Sequence, residues 1–162
     1  METQTSERMY TQWSPVFMRL GLGIIFIVAG AGKVFGIGPK STGGISGFAG
    51  FLAQLGVPAP ELFAWIVALV ELVGGLFILA GLFTRYMAAL VATDMAVAIW
   101  LVHIPNGFAV DNGGYEFPLA LLLLAIALIL SGPGALSLER AIFGHELLPK
   151  TRRRAHEEYT KA

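Results

Sequence analysis

Four long apolar runs, separated by short polar segments, constrain the fold of this 162-residue chain more than any other feature. A helix needs about 20 predominantly apolar residues to cross the hydrocarbon core of a bilayer. The runs that approach this length are 15–35, 61–83, 86–104 and 116–131. Only 14% of the residues are charged, against about 25% in a soluble domain. The sequence therefore predicts an all-α, polytopic membrane four-helix bundle.

Basic residues are distributed unequally between the two sides of the predicted bundle. With four crossings, both termini and the 84–85 turn share one side, and the opposite side carries only Lys33 and Lys40. The basic residues of the first side are Arg8, Arg19, Arg85, Arg140, Lys150, Arg152, Arg153, Arg154 and Lys161. Because cytoplasmic loops are rich in Lys and Arg, we expect a cell-membrane protein with both termini in the cytoplasm. The chain then divides into a cytoplasmic N-terminal segment (1–14), the bundle (15–131) and a basic cytoplasmic tail (132–162).

Two shorter helices are predicted outside the four crossings. In the loop from Gly36 to Pro60, apolar residues recur at helical spacing, which indicates a short amphipathic helix in the outer interface or folded over the bundle mouth. These residues are Phe48, Phe51, Leu52 and Leu55. In the tail, Ser137 is suited to cap an amphipathic surface helix. The arginines beyond it suit an anionic cytoplasmic leaflet, or they serve only to set the topology.

Several classes of function are disfavoured by composition. The chain has no cysteine, which removes disulfides, thiolate nucleophiles and cysteine-ligated metals. Its formal net charge is zero, so no global basic field indicates nucleic-acid binding. His103 has no second histidine at ligand spacing. We therefore predict no metal site and no covalently bound cofactor.

Charged residues within the apolar runs are predicted to face the bundle interior. An ionisable side chain at a helix centre costs roughly 3 kcal/mol even on the lenient insertion scale, so it should face protein or water and have a partner. In the first run, one helical stripe contains Arg19, Gly23, Phe26, Gly30 and Lys33. In the second run, the equivalent stripe contains Glu71, Gly75, Ile78, Leu82 and Arg85. Both stripes combine charges with small residues that let helices approach closely.

Depth along each helix predicts two layers of buried charge. The inner layer would pair Arg19 with Asp94, as a buried ion pair, and through water with Glu71. The outer layer would pair Lys33 with Glu116, with His103 close by. Such pairs either specify the fold or form a functional site, and the sequence leaves both interpretations open.

Glu71 is predicted to lie near the bilayer midplane, without an assured cation at its own depth. We therefore expect it to be protonated at neutral pH. A neutral carboxyl could donate a hydrogen bond to a quinone carbonyl, relay a proton, or bond to a helix backbone. The candidate residues for a quinone or proton site are Lys33, Glu71, His103 and Glu116.

The order of short motifs resembles the DoxX family of small prokaryotic four-helix membrane proteins. The matching pieces, within residues 17–139, are Arg19-Leu20-Gly21 with Gly30 and Lys33, "LGVPAP" at 55–60, Glu71 with Gly74-Gly75, "GLFTR" at 81–85, "NGGYE" at 112–116 and "GPGALSLE" at 132–139. Glu139 stands where the family usually has Asp, and Asp94 has no place in the family pattern. The resemblance implies an inner-membrane protein tied to redox metabolism, since relatives of the DoxD type are subunits of a thiosulfate:quinone oxidoreductase.

Three functions are compatible with these features. The first is a membrane subunit of a quinone-linked oxidoreductase, which binds a quinone non-covalently and depends on a soluble or membrane redox partner for activity. The second is a non-catalytic scaffold or assembly factor for a redox complex. The third is a small transporter or proton path that uses Glu71 and Asp94. The lipid bilayer is a partner in every case, and glycine-lined helix faces are compatible with a homodimer.

Overall fold

The computed structural model describes residues 2–144, with side chains from Gln12 onward. Residues 2–144 form helices and connecting loops, and no strand occurs among them. The α-helices are α1 (Glu2–Phe35), α2 (Gly44–Gln54), α3 (Pro60–Ala80), α4 (Thr84–Ala98), α5 (Glu116–Ser131) and α6 (Leu138–Phe143). Helix α4 continues into a π-helical turn, Ile99–His103, and a 3-10 turn, Ile104–Asn106, and a further 3-10 turn covers Val110–Asn112.

Within residues 2–144, three helical segments are long and apolar enough to cross a membrane. They are Gln12–Phe35, Pro60–Ala80 and Thr84–Asn106. Helix α5 has 16 residues and is nearly all aliphatic, which gives it a length of about 24 Å. It packs against α4, while α1 packs chiefly against α3. The predicted all-α, four-helix membrane bundle is confirmed.

The outer surface of the bundle is strongly apolar. The side chains of Phe17, Trp100 and Leu130 are 70%, 74% and 75% exposed. Soluble proteins rarely expose large contiguous apolar patches, whereas lipid solvates such side chains well. Phe17, Trp100 and Leu130 therefore face the acyl chains.

Glycines bring α1 and α3 into close contact. A Cβ atom placed on Gly23 would lie 2.8 Å from Leu79 Cβ, and one on Gly75 would lie 2.8 Å from Ile27 N. Only residues without a side chain allow the two backbones to approach this closely. The glycine-lined faces that the sequence offered for a homodimer are thus used within the chain.

Helix α2 lies across one end of the bundle. Its residues Phe48 and Leu52 are buried against Ala64 of α3. The amphipathic helix predicted in the 36–60 loop is therefore confirmed, and it packs over the bundle. We call this end, which also carries the loop that joins α4 to α5, the loop end.

The start of the first helix differs from the prediction. Helix α1 begins at Glu2 instead of near Pro15, and Pro15 is buried within the continuous helix. The predicted segment 1–14 is thus helical from Glu2 onward. The apolar run begins near Pro15, and a proline is common at a helix start because it lacks a backbone N–H. Here the helix continues through Pro15 toward the N-terminus, so the length of the apolar run gave the wrong start.

The later boundaries differ less. Helix α3 ends at Ala80, before the predicted residue 83, because Gly81 adopts a φ of 71° and caps it. Ser137 caps α6 as predicted, since its Oγ accepts a hydrogen bond from Arg140 N at 3.4 Å. The rest of the predicted basic tail, residues 145–162, lies outside the described residues.

Candidate functional site

An ion pair between Lys33 and Glu71 lies inside the bundle. Lys33 Nζ is 2.5 Å from Glu71 Oε2, and the two side chains are 15% and 5% exposed. Lys33 occupies the last turn of α1, and Glu71 lies midway along α3. Glu71 therefore has a cation at its own depth, and the expectation that it lacks one is wrong.

Phe48 of α2 completes the surroundings of Lys33. The Lys33 Nζ lies 5.0 Å from the centroid of the Phe48 ring, within the range of a cation–π interaction. Helix α2 is thereby connected to the buried ion pair as well as to α3.

Asp94 of α4 is the third charged residue of this interior cluster. Its side chain lines the same cavity as Lys33 and Glu71. Its Oδ2 atom is enclosed and accepts no hydrogen bond from any residue in the described part of the chain. We call Lys33, Glu71 and Asp94 the Glu71 cluster.

A cavity of about 540 Å³ adjoins the Glu71 cluster at the loop end. Its walls are mainly apolar side chains of α1, α2, α4 and α5, and they include Phe51 and Phe117. The polar side chains that line it are Lys33, Lys40, Thr42, Glu71, Asp94 and His103. Pockets for small organic ligands typically have this size, about 300–1,000 Å³, and this combination of apolar walls with a few polar groups.

His103 lines the cavity from the end of the π-helical turn. Its Nδ1 lies 2.6 Å from the carbonyl oxygen of Gly113, so Nδ1 donates a hydrogen bond. In the neutral ring, Nε2 is then an acceptor. Single π-helical turns occur often at functional sites, and this one brings His103 to the cavity as the sequence predicted.

Glu116 does not belong to the cavity. Its Oε2 accepts a hydrogen bond from Val110 N at 3.1 Å, and its side chain is not part of the lining. The predicted pairing of Lys33 with Glu116 is wrong, because Lys33 reaches inward to Glu71. Glu116 instead holds the loop between α4 and α5.

Arg19 lies at the opposite end of the bundle from the loop end and is 4% exposed. Its guanidinium donates hydrogen bonds of 2.9–3.2 Å to the backbone carbonyl oxygens of Ile78, Leu79, Pro133, Ala135 and Leu136. We call this arrangement the Arg19 junction. The predicted ion pair between Arg19 and Asp94 is therefore wrong.

The end of α3 explains why Arg19 bonds to backbone. The last carbonyl groups of a helix have no intrahelical donor, and guanidinium offers five N–H donors in a fixed plane. Gly81 makes room for that plane, since a Cβ there would lie 2.6 Å from Arg19 Cζ. The junction joins α1, α3 and the loop after α5 without any carboxylate.

Glu139 has a structural role at the same end that the sequence did not reveal. Its side chain is buried, and its Oε2 accepts a hydrogen bond from Thr84 N, the first residue of α4, at 3.3 Å. Its own N donates to Gly81 O at 3.0 Å. Phe83, which precedes α4, has no side chain able to cap a helix. That was a signal in the sequence that a distant side chain must accept the hydrogen bond of Thr84 N.

The structure also bears on metal binding and on the residues that the sequence missed. Among the described residues, no three His, Cys, Asp or Glu side chains lie together in a group that could hold a metal ion. The sequence did not single out Lys40, whose Nζ lies 6.0 Å from the centroid of the Phe117 ring and whose side chain lines the cavity.

These features define a class of protein, a polytopic helical membrane protein with a partly polar internal cavity. The model of the DoxX family matches residues 14–104. The chain belongs to the DoxX family, and the resemblance noted in its motifs is confirmed.

Curated relatives cover most of the chain. The Bacillus subtilis protein named "Putative oxidoreductase CatD" is 33% identical over 128 residues, which are 79% of this chain and 86% of that protein. An uncharacterized membrane protein of Mycobacterium tuberculosis is 33% identical over 80% of this chain and 81% of its own length. The inner membrane protein YphA of Escherichia coli is 33% identical over 75% of this chain and 85% of its own length. No solved structure matches the chain.

Proposed function

We propose that the loop-end cavity binds the head group of a quinone and that the protein is a membrane subunit of a quinone-linked oxidoreductase. The observation that carries the proposal is the cavity of about 540 Å³ with apolar walls and the Glu71 cluster in its lining. A membrane-soluble ligand with a small polar head group is the kind of molecule that suits such a site.

The lining groups suit the chemistry of a quinone ring. The ring is flat and largely apolar, and Phe51 and Phe117 in the cavity walls offer aromatic surface to it. Its two carbonyl oxygens accept hydrogen bonds. Lys33 Nζ has three N–H donors, and its hydrogen bond to Glu71 uses one of them, so Lys33 is the donor we assign to a quinone carbonyl.

Glu71 would then act as a positioning residue. Its carboxylate holds the Lys33 ammonium group at the cavity, and without it the cation would be left unpaired in a low-dielectric interior. A bound quinone supplies two-electron, two-proton chemistry. We assign electron transfer to a soluble or membrane partner subunit, since this chain has no cysteine to ligate an iron–sulfur cluster.

Two further observations support the proposal. One relative carries the name "Putative oxidoreductase CatD", a description of that protein which agrees with a redox role here. The distribution of Lys and Arg, nine on one side and two on the other, supports a cell-membrane location with both termini cytoplasmic. In that orientation, the loop end and its cavity lie toward the outer side.

Purification with quinone analysis tests the proposal. Wild-type protein, Glu71→Gln and the control Glu61→Gln are purified in mild detergent, and the extracted lipid is analysed for quinone. Glu61 is an exposed carboxylate on the same helix, away from the cavity. We expect quinone in the wild type and the control, and a loss of quinone and of quinone-linked turnover by the assembled complex in Glu71→Gln.

Wild-type protein without quinone, together with unchanged quinone-linked turnover in Glu71→Gln, would overturn the proposal. If Glu71→Gln lowered only the abundance of the complex, the non-catalytic scaffold would be the better interpretation.

A further inference from the structure

The charges that line the loop-end cavity balance. Lys33 and Lys40 contribute two cations, and Glu71 and Asp94 contribute two carboxylates, so the lining is neutral when all four are ionised. A site of this kind gives no net attraction to an ion, which would also lose its hydration on entering the apolar cavity. The charge balance therefore favours an uncharged ligand with polar groups.

Asp94 differs from the other three charged residues in its surroundings. Lys33 and Glu71 form an ion pair, and Lys40 lies over the Phe117 ring. The enclosed Oδ2 of Asp94 accepts a hydrogen bond from no residue that the structure describes. Nearly all buried polar atoms in proteins have a partner. The Asp94 side chain lines the cavity, so its carboxylate is the acceptor there that a ligand donor could satisfy.

We propose that Asp94 accepts a hydrogen bond from the bound head group, and that it makes the site select the reduced, hydroxyl-bearing ring over the oxidised one. This inference rests on the proposed function, because it assigns the redox form of the same ligand. A quinol ring offers two O–H donors, whereas a quinone ring offers only acceptors. An ionised carboxylate can only accept hydrogen bonds, so it pairs with a quinol and leaves a quinone carbonyl unsatisfied.

We assign this contact to Oδ1, because Oδ2 is enclosed. Lys33, which lines the same cavity, remains able to donate to the hydroxyl oxygen of the same ring. A quinol could therefore satisfy donor and acceptor together, and a quinone only the donor.

The expected preference follows from the cost of an unmade hydrogen bond. Leaving a buried acceptor unpaired corresponds to about a tenfold or greater loss of affinity. We therefore expect wild-type protein to bind quinol at least about tenfold more tightly than quinone.

The test compares both redox forms of one small probe. Wild-type protein in lipid nanodiscs is dialysed without oxygen, at mildly alkaline pH so that Asp94 is ionised, against tetramethylbenzoquinone or its two-electron-reduced quinol, and partition into empty nanodiscs is subtracted. If neither form binds, the proposed function fails. If both bind equally, or the quinone binds more tightly, the Asp94 inference fails while the proposed function stands.

Two variants of Asp94 then locate the preference. Asp94→Asn can both donate and accept, so we expect both forms to bind with nearly equal affinity. Asp94→Ala has neither group, and we expect it to bind the quinol about as weakly as the quinone. Asp111→Asn, an exposed carboxylate outside the cavity lining, should retain the wild-type preference. A preference that persists in both Asp94 variants would overturn the inference.

Discussion

The Arg19 junction and the Glu71 cluster both hold charged side chains inside a membrane bundle, and they satisfy them in different ways. Arg19 donates to five backbone carbonyl groups, and a bound ligand would find no role there. In the Glu71 cluster, one ion pair is accompanied by a carboxylate oxygen that no described residue satisfies, beside a cavity. A buried charge thus indicates a functional site only when its partners are incomplete.

The two regions also differ in the elements they connect. The Arg19 junction joins backbone segments at the ends of α3 and α5, so any change there should disturb the whole bundle. The Glu71 cluster brings side chains of three helices to the loop-end cavity. Paired substitutions that remove one positive and one negative charge should therefore leave the bundle folded but abolish ligand binding.

The largest expected effect is that of Arg19→Met. Four of the five carbonyl groups would lose their donor, while Ile78 O keeps that of Gly81 N. Each unsatisfied group costs about 1–3 kcal/mol, so we expect the free energy of unfolding to fall by about 5 kcal/mol. Unfolding in mixed detergent and dodecyl sulfate micelles measures this quantity. Lys40→Met, at an exposed basic residue, should change it by less than about 1 kcal/mol, and similar values for the two variants would contradict the structural role of the Arg19 junction.

The Glu71 cluster is tested by a double-mutant cycle. Lys33→Met or Glu71→Leu alone leaves one unpaired buried charge, and we expect each to lower the free energy of unfolding by about 4 kcal/mol. The double variant removes both charges and should recover most of that loss, because apolar replacements of a buried pair are often neutral. Additive losses in the double variant would show that the two residues are not energetically coupled, which would contradict the ion pair.

Gly30 tests how the approach of α1 and α3 positions Lys33. A Cβ on Gly30 would lie 2.7 Å from Leu72 Cα, next to Glu71. We expect Gly30→Val to separate the helices and lower the free energy of unfolding by about 3 kcal/mol. Gly50→Ala on α2, where a Cβ would meet nothing within 4 Å, is the matched control and should be neutral or slightly stabilising. Equal stability of the two variants would contradict the close contact.

The smallest expected effect has the opposite sign. Asp94→Asn replaces a carboxylate that has an unsatisfied, enclosed oxygen by a neutral group of the same shape, so we expect the free energy of unfolding to rise by about 1 kcal/mol. The same micelle experiment measures it. A fall of several kcal/mol would show that Asp94 belongs to a structural network, as Arg19 does.

The sequence predicted the bundle but not the partners of its charges. The lengths of the apolar runs and the phase of each charge along its helix correctly placed Arg19, Lys33 and Glu71 on interior faces, because lipid excludes charge. Depth alone then paired Arg19 with Asp94. That failed because Arg19 lies where α3 ends, and a helix end offers backbone acceptors, which every residue possesses and no motif marks.

The same limit applies to the candidate site. Lys33, Glu71 and His103 line the cavity as expected, whereas Glu116 bonds to the loop at Val110. Whether Lys33 pairs with Glu71 or with Glu116 depends on how closely α1 approaches α3. Glycines bring these two helices into close contact, and the lengths of the apolar runs do not indicate that distance. The cavity depends further on α2 and on the π-helical turn, whose positions are tertiary properties.

Photolabelling tests most directly whether the loop-end cavity is a quinone site. The protein in nanodiscs is illuminated with an azido-benzoquinone, and adducts are located by mass spectrometry with and without excess unlabelled quinone. We predict adducts on cavity residues such as Phe51 and Phe117 that the competitor removes. Adducts confined to lipid-facing residues such as Phe17 and Leu130, unchanged by the competitor, would contradict the assignment.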